Sequence, residues 1–287
     1  MRNIICLSTI PPRFATVGQT LVTLVRQKSR PEAVELYIPQ SYRRFPGWGG
    51  GLPDVPDGVR IVRVDEDFGP ATKVLPAARA YRGQEVELLF ADDDHCYSPD
   101  WAQRFLNVRK AHPEAAVCAA ASSVAYMGRD WRADAPLPRA VMAPERRKQF
   151  GYWLRKFLAT ARRGDPGKPR LEEKFRKLDR SGYVDAAMAN AGVAVRPDFF
   201  DEAAYTIPPI LWAVDDVWLS GHLARRGIPI WADRRLNCAQ EIRTLSATDP
   251  LFRAVIDGAG RKEANLACVD YMRETYGIWG GLAAIDG

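Results

Sequence analysis

Apolar residues along this chain come in short, near-continuous runs, and between the runs they recur at helical intervals. "NIICLSTI" (3–10) is one such run, closed by Pro11-Pro12; it predicts a buried strand followed by a loop. In "ATVGQTLVTLVRQ" (15–27), Val17, Leu21, Leu24 and Val25 share a helical face. "VELYIP" (34–39) and "VRIVRV" (59–64) predict strands, and the Gly- and Pro-rich segment 42–58 between them must be loop. A helix is predicted over 71–81, with Pro76 inside it, then a strand over 86–94, a helix over 99–112 and a strand over 115–124. After residue 180 the order resumes with strand and turn over 183–197, a helix over 215–227 stopped by Gly227, a strand over 228–233 and a last helix over 261–277.

Apolar strands alternating with helices imply an α/β fold whose sheet is mostly parallel and covered on both faces. Ligands of such sheets bind beyond the carboxyl ends of the strands. The expected organisation is one domain over 1–287, interrupted by a basic helical insertion at 139–180. That insertion holds 14 Lys/Arg against 5 Asp/Glu, with Phe150, Tyr152, Trp153, Phe157 and Phe175 interleaved.

Composition changes this picture little. The chain has 287 residues, 47% hydrophobic and 26% charged, as in ordinary globular proteins. A net charge of +6 and a pI near 9.1 favour anionic partners without choosing among them. Cys6, Cys96, Cys118, Cys238 and Cys268 are odd in number and form no C-x-x-C pair, which favours reduced thiols over a disulfide framework. No signal-peptide pattern and no window of about 18 apolar residues is found. The expected location is therefore cytoplasmic, extending to peripheral contact with the inner face of the membrane.

The candidate chemistry is concentrated in "LLFADDDHCYSPDW" (88–101), where an apolar run ends in three consecutive aspartates. On an extended chain Asp92 and Asp94 point the same way. Two carboxylates converging at a strand end suit a hard divalent cation such as Mn²⁺ or Mg²⁺, which completes its shell with substrate phosphates. The plainer alternative is an acidic turn capping the helix that begins near Pro99.

A strand ending in D-x-D, then an aromatic residue and proline, then a helix resembles the nucleotide-sugar glycosyltransferases of GT-A fold, in particular the family 2-like enzymes of bacterial polysaccharide synthesis. "CLSTIPPRF" (6–14) is similar to their first strand and nucleotide-clasping loop. "DFGPATKVLPA" (67–77) is similar to the segment after their third strand. "VDDVWLSGHLARRGIPIW" (214–231) is similar to their E/D-D motif. The resemblance runs in order over most of residues 3–233, and leaves the insertion and the C-terminal tail uncovered.

It implies a GT-A, Rossmann-like sheet and transfer of a sugar from a nucleotide-diphosphate sugar, a UDP-sugar first of all, to a hydroxyl of a glycan or lipid-linked acceptor, with inversion. By resemblance, Asp94 ligates the metal, and Asp92 reaches the ribose or the metal through water. Asp93 faces the sugar or solvent. Asp216 is the general base; Asp215 stands where Glu is commoner, so either can hold that role, and either can instead be the helix N-cap. Thr9, Pro11 and Arg13 fall where the first loop meets the nucleotide. Arg13 either pairs with a phosphate or braces Asp65 or Glu66. Lys73 offers a cation to the diphosphate or is a surface lysine. His222 reads as a hydrogen-bonded core residue, and His95 as a support to the triplet or a surface group. Ala189, Ala191 and Gly192 are expected on the floor of the sugar site.

Other classes are weighed against this one. A nucleotidyltransferase needs a Gly-rich loop after the first strand, and "STIPPRF" has no glycine. An aspartyl-nucleophile phosphatase places D-x-D after the first strand, not after a later one. A binding module built on 139–180 is the alternative from a different class, docking on nucleic acid or an anionic membrane. With the enzyme reading, no nucleic acid is expected as a partner.

Overall fold

The computed structural model describes residues 1–129, 136–142, 171–172, 178–236, 239–242, 248–249 and 260–280. Within them the strands are β1 (Asn3–Ser8), β2 (Ala33–Pro39), β3 (Val59–Val64), β4 (Glu87–Phe90), β5 (His95–Tyr97), β6 (Ala116–Ser122), β7 (Val141–Met142), β8 (Leu171–Glu172), β9 (Leu178–Arg180), β10 (Gly182–Val184), β11 (Ala186–Val195), β12 (Ile230–Ala232) and β13 (Ala239–Ile242). The α-helices are α1 (Gly18–Val25), α2 (Leu75–Ala80), α3 (Trp101–Ala111), α4 (Val124–Met127), α5 (Asp215–Arg225) and α6 (Arg261–Tyr276).

Eight strands form the central sheet in the order β10-β12-β6-β11-β4-β1-β2-β3. β4, β1, β2 and β3 run parallel, as do β12 and β6, while β11 is antiparallel to both of its neighbours. This is the mostly parallel sheet that the alternation of elements predicts, with the mixed strand directions that the resemblance to GT-A glycosyltransferases implies. The strand faces explain the unbroken apolar runs. Ile4 and Cys6 of β1, with Leu88 and Phe90 of β4, face one core together with Leu75, Trp218 and Met272. Ile5 and Leu7, with Leu89 and Ala91, face the other together with Leu21, Trp101 and Phe105. Neighbouring residues point to opposite faces and both faces are covered, so each position is worth roughly 1.5–3 kcal/mol of burial per large apolar side chain.

The expected helix over 71–81 is divided. A 3-10 turn, Gly69–Lys73, precedes α2, and Pro76 stands in the first turn of α2, where its missing N–H is not needed. Past β4 the chain does not stay extended to residue 94. It turns at Asp93 and Asp94 and re-enters as β5, which pairs with β13 and, through it, with β8. Of the basic stretch 139–180, residues 139–142, 171–172 and 178–180 are described, and the expected helical part of that insertion lies outside the described residues. No helix among the described residues is long and apolar enough to cross a membrane.

β11 carries a register shift between Met188 and Val193. Gly192 has φ of 105° there, and a Cβ on it would lie 2.5 Å from the Trp101 ring. Trp101 Nε1 donates to the Ala191 carbonyl at 3.0 Å. This corrects the expectation for the small residues. Gly192 makes room for Trp101, and Ala189 and Ala191 are buried in the two cores.

His222 is fully buried on α5 and accepts a hydrogen bond from Arg225 Nε at 2.9 Å, the core role expected of it. Burial, and then the Arg225 charge, push its pKa down to about 3. The unfolded chain titrates near 6.5, so between those values it binds more protons than the native state. Stability from this residue is therefore complete above about pH 6.5 and is lost as pH falls toward 3, at up to about 1.4 kcal/mol per pH unit. Replacing His222 with Gln should flatten the urea-denaturation stability profile between pH 6.5 and 4.5. Parallel profiles for wild type and variant would show that His222 is not the titrating group.

Candidate active site

The carboxyl ends of β1 and β4 open into a cleft of about 560 Å³, within the usual size of small-molecule sites. The aspartate triplet forms one wall, and each carboxylate is met by a different basic partner. Asp92 Oδ1 lies 2.5 Å from Lys73 Nζ. Asp93 is 5% exposed and accepts from Thr9 Oγ1 and Arg13 Nη1, both at 2.5 Å. Asp94 Oδ1 is 2.6 Å from His95 Nδ1, and its Oδ2 is 3.6 Å from Arg13.

Several expectations change here. Asp92 and Asp94 do not share one face of an extended strand, because the chain turns between them. Asp93 faces neither sugar nor solvent: it is the buried anchor of the turn. Arg13 braces Asp93, not Asp65 or Glu66. Pro11 opens the 3-10 turn Pro11–Arg13 that brings the guanidinium back toward the triplet. Thr9 is buried, and its carbonyl accepts a hydrogen bond from the Tyr42 hydroxyl at 2.8 Å. The physical reason is common to all of these. A carboxylate that leaves water must gain a cation or several donors, and three adjacent carboxylates need three separate solutions.

Electrostatics follow the contacts. Burial pushes Asp93 up, aided by Asp94 and Asp92 and opposed by Arg13 and Thr9. Burial also acts to raise Asp94, but the His95 hydrogen bond, with the charges of His95, Arg13 and Lys73, holds it below the ordinary carboxylate range. Lys73 is 6% exposed and so is no surface lysine. Burial acts to lower its pKa, yet Asp215, Asp92 and Asp216 hold it above the usual lysine value.

Lys73 also reaches across the cleft, with Nζ 2.9 Å from Asp215 Oδ2. Asp215 is 4% exposed, whereas Asp216 is half-buried and lines the cleft. Asp216 Oδ1 accepts from the Ala189 N–H at 2.9 Å. Ser220 Oγ donates to the Asp216 carbonyl and accepts from the Ala187 N–H, which fixes the start of α5 on β11. Neither aspartate is the N-cap. That position belongs to Val214, with no side-chain capping bond, and the two carboxylates occupy the first turn, where the helix dipole favours negative charge.

The far wall comes from residues whose signal in sequence was weak. Asp67 accepts from the Arg43 and Gly69 N–H groups at 2.8 and 2.9 Å, and its carbonyl accepts from Trp212 Nε1 at 2.9 Å. Burial raises its carboxyl pKa. Gly69 has φ of 60°, and a Cβ there would lie 2.7 Å from the Trp212 ring, so the turn admits no other residue without movement. Tyr42 and Arg44 sit in the Gly- and Pro-rich loop, and Trp212 in "ILWAV". Only their convergence in space marks them.

Among the described residues, eight carboxylate side chains line the cleft against three of Arg or Lys. Such a lining attracts cations and, unaided, repels a diphosphate. Asp92 and Asp94 are the more exposed members of the triplet, at 28% and 15% of their side chains, and they offer the hard oxygens that Mg²⁺ and Mn²⁺ prefer. No group of three or more metal-ligating side chains converges among the described residues. One or two carboxylates completed by water and phosphate is the pattern that fits these ions, so the residues present are compatible with one.

Residues 52–176 match the family model of glycosyl transferase family 2. The match includes the aspartate triplet and Lys73, but not Thr9–Arg13 or Asp215–Asp216. No curated protein matches the chain. Among solved structures, S. aureus TarS 1–349 in complex with UDP is similar, at 12% identity and a TM-score of 0.43, over 94% of this chain and 71% of that one. A second crystal structure of S. aureus TarS 1–349 is similar at 10% identity and a TM-score of 0.44, over 98% of this chain and 74% of that one.

The Arg13–Asp93 pair makes a stability test. Removing one member of a buried ion pair leaves an uncompensated charge, at about 3–5 kcal/mol. Arg13→Met should lose that much in chemical denaturation, and Arg13→Met/Asp93→Asn should recover a large part of it. A double variant no more stable than Arg13→Met would mean that Asp93 is not the group Arg13 neutralises.

Proposed function

We propose, from the match of residues 52–176 to glycosyl transferase family 2 and from the site itself, that the chain is a glycosyltransferase that moves a sugar from a nucleotide-diphosphate sugar, a UDP-sugar first of all, to a hydroxyl of a glycan or lipid-linked acceptor, with inversion at the anomeric carbon and in the service of polysaccharide synthesis. One observation carries this reading. A single cleft gathers Asp92–Asp94 from the end of β4 and Asp215–Asp216 from the start of α5, with Lys73 touching both groups.

Asp216 is the general base of this proposal. The Ala189 N–H orients its carboxylate, and it takes the proton from the acceptor hydroxyl as that oxygen attacks the anomeric carbon and the bond to the diphosphate oxygen breaks. Asp215 is buried against Lys73 and is a positioning residue instead. Asp94 and Asp92 would hold Mn²⁺ or Mg²⁺, which when bound supplies Lewis-acid stabilisation of the growing charge on the diphosphate. Lys73 and Arg13 add fixed positive charge on the same side. Thr9 and Pro11 shape the donor end, where the loop after β1 meets the triplet. The basic stretch 139–180 supports a cytoplasmic enzyme docked on the inner face of an anionic membrane.

Asp216→Asn should keep donor affinity while turnover falls by a factor on the order of 10² to 10⁴, the usual contribution of positioned proton transfer. Sugar transfer, donor calorimetry and melting temperature on one preparation check this. Near-normal transfer by Asp216→Asn with a full loss in Asp215→Asn would move the base to Asp215. For the membrane contact, vesicles of anionic lipid should sediment the protein at low salt and release it at high salt, because screening acts over roughly 8–10 Å. Absence of low-salt sedimentation would remove the membrane from the proposal.

A further inference from the structure

Lys73 holds a position that a simple structural ion pair does not explain. Its ammonium is shared, 2.9 Å from Asp215 Oδ2 and 2.5 Å from Asp92 Oδ1. Asp215 is buried to 4% exposure, whereas Asp92 retains 28% and lines the cleft. Neutralising Asp215 would need only the first contact. The second places a fixed positive charge on a carboxylate that an incoming cation would otherwise take. Asp94, the other candidate ligand, is held by His95 and lies 3.6 Å from Arg13. Lys73 cannot leave both carboxylates for water cheaply: it ends the 3-10 turn Gly69–Lys73, and its side chain is 7% exposed.

We infer that Lys73 guards the candidate metal position, so that a divalent ion is captured together with the nucleotide diphosphate and only weakly on its own. The inference rests on the metal-assisted transfer proposed above. A lone divalent ion must displace an ammonium from Asp92 and then sit beside that ammonium, with at most a few protein oxygens in return. A diphosphate changes both sides of the balance. It supplies oxygens to the ion, and it supplies negative charge toward which Lys73 can turn, freeing Asp92. Metal and nucleotide then favour each other by the same factor, as linkage requires. Lys73 is a positioning residue in this scheme, and its signature is metal affinity in the absence of any reaction.

Calorimetric titration with Mn²⁺ alone, and with Mn²⁺ in the presence of UDP, tests it on the whole chain. Mn²⁺ alone should bind Lys73→Met at least about ten-fold more tightly than wild type, within the span of ordinary coupling between sites. Lys73→Met/Asp92→Asn should lose that gain, and the enhancement by UDP should shrink in Lys73→Met by a similar factor. Lys73→Met leaves Asp215 buried without its cation, a cost to folding in its own right. The comparison of Lys73→Met/Asp215→Asn with Asp215→Asn removes that penalty, and the same tightening is expected there. Equal or weaker binding of Mn²⁺ alone after loss of Lys73, with Mn²⁺-dependent UDP binding intact in wild type, overturns the guard and leaves the proposed function standing. Wild type that binds UDP without any dependence on Mn²⁺ overturns the guard together with the metal reading beneath it.

Discussion

Five carboxylates at the carboxyl edge of one sheet must be kept from repelling one another, and the architecture around the cleft answers that constraint. Lys73 takes Asp92 and Asp215, Arg13 takes Asp93 and approaches Asp94, His95 takes Asp94, and the Ala189 N–H donates to Asp216. Each side-chain partner comes from a different segment: the 3-10 turn before α2, the turn after β1, and β5. The triplet therefore draws three segments into one place. Its local fold is set by charge pairing at least as much as by apolar burial, because an unpaired buried carboxylate is costlier than a lost methyl contact.

The backbone supplies the rest of the precision. The sheet order brings β1 beside β4, so Thr9 and Arg13 meet the triplet although about eighty residues separate them along the chain. β11 runs antiparallel into the same region, and its irregularity at Gly192 lets Trp101 close underneath while Met188 and Asn190 reach the cleft. Ser220 and the Ala189 N–H then fix the first turn of α5 on that strand. The general base proposed at Asp216 would benefit from such a mount: a helix start on a strand is stiffer than a loop.

Much of the scaffold was legible from hydrophobic pattern alone. "ELLF" and "VRIVRV" are strands where period and composition put them, and β3 matches its expected bounds of 59 and 64. The aspartates were legible as chemistry, but their geometry was not. Period-two reasoning holds while a strand continues, and here the strand stops at Phe90. Partners of a buried charge are tertiary facts. Nothing local to "GPATK" says that its lysine reaches both a residue nineteen positions on and the start of a helix far beyond. Trp212 and Asp67 escaped for a related reason, since a tryptophan in an apolar run reads as core until the turn packed on it is known.

Net charge and site charge point in opposite directions, and the difference has consequences for binding. The chain carries +6 in all, and 14 Lys/Arg lie within 139–180, yet the cleft lining among the described residues is acidic. A long-range positive field favours the approach of any anion. The last few ångströms obey local charges, and there a diphosphate would meet Asp92, Asp94 and Asp216 before it could use the more buried Lys73 or Arg13. Attraction at a distance and repulsion at contact together favour an anion that arrives with its own countercharge. For the nucleotide-sugar donor proposed above, selectivity would then rest on a balance of fixed charges as well as on the shape of the cleft that Tyr42 and Trp212 help to line. Substitutions at Lys73 or Arg13 would shift which charge state of that ligand is accepted before they alter which base or sugar is.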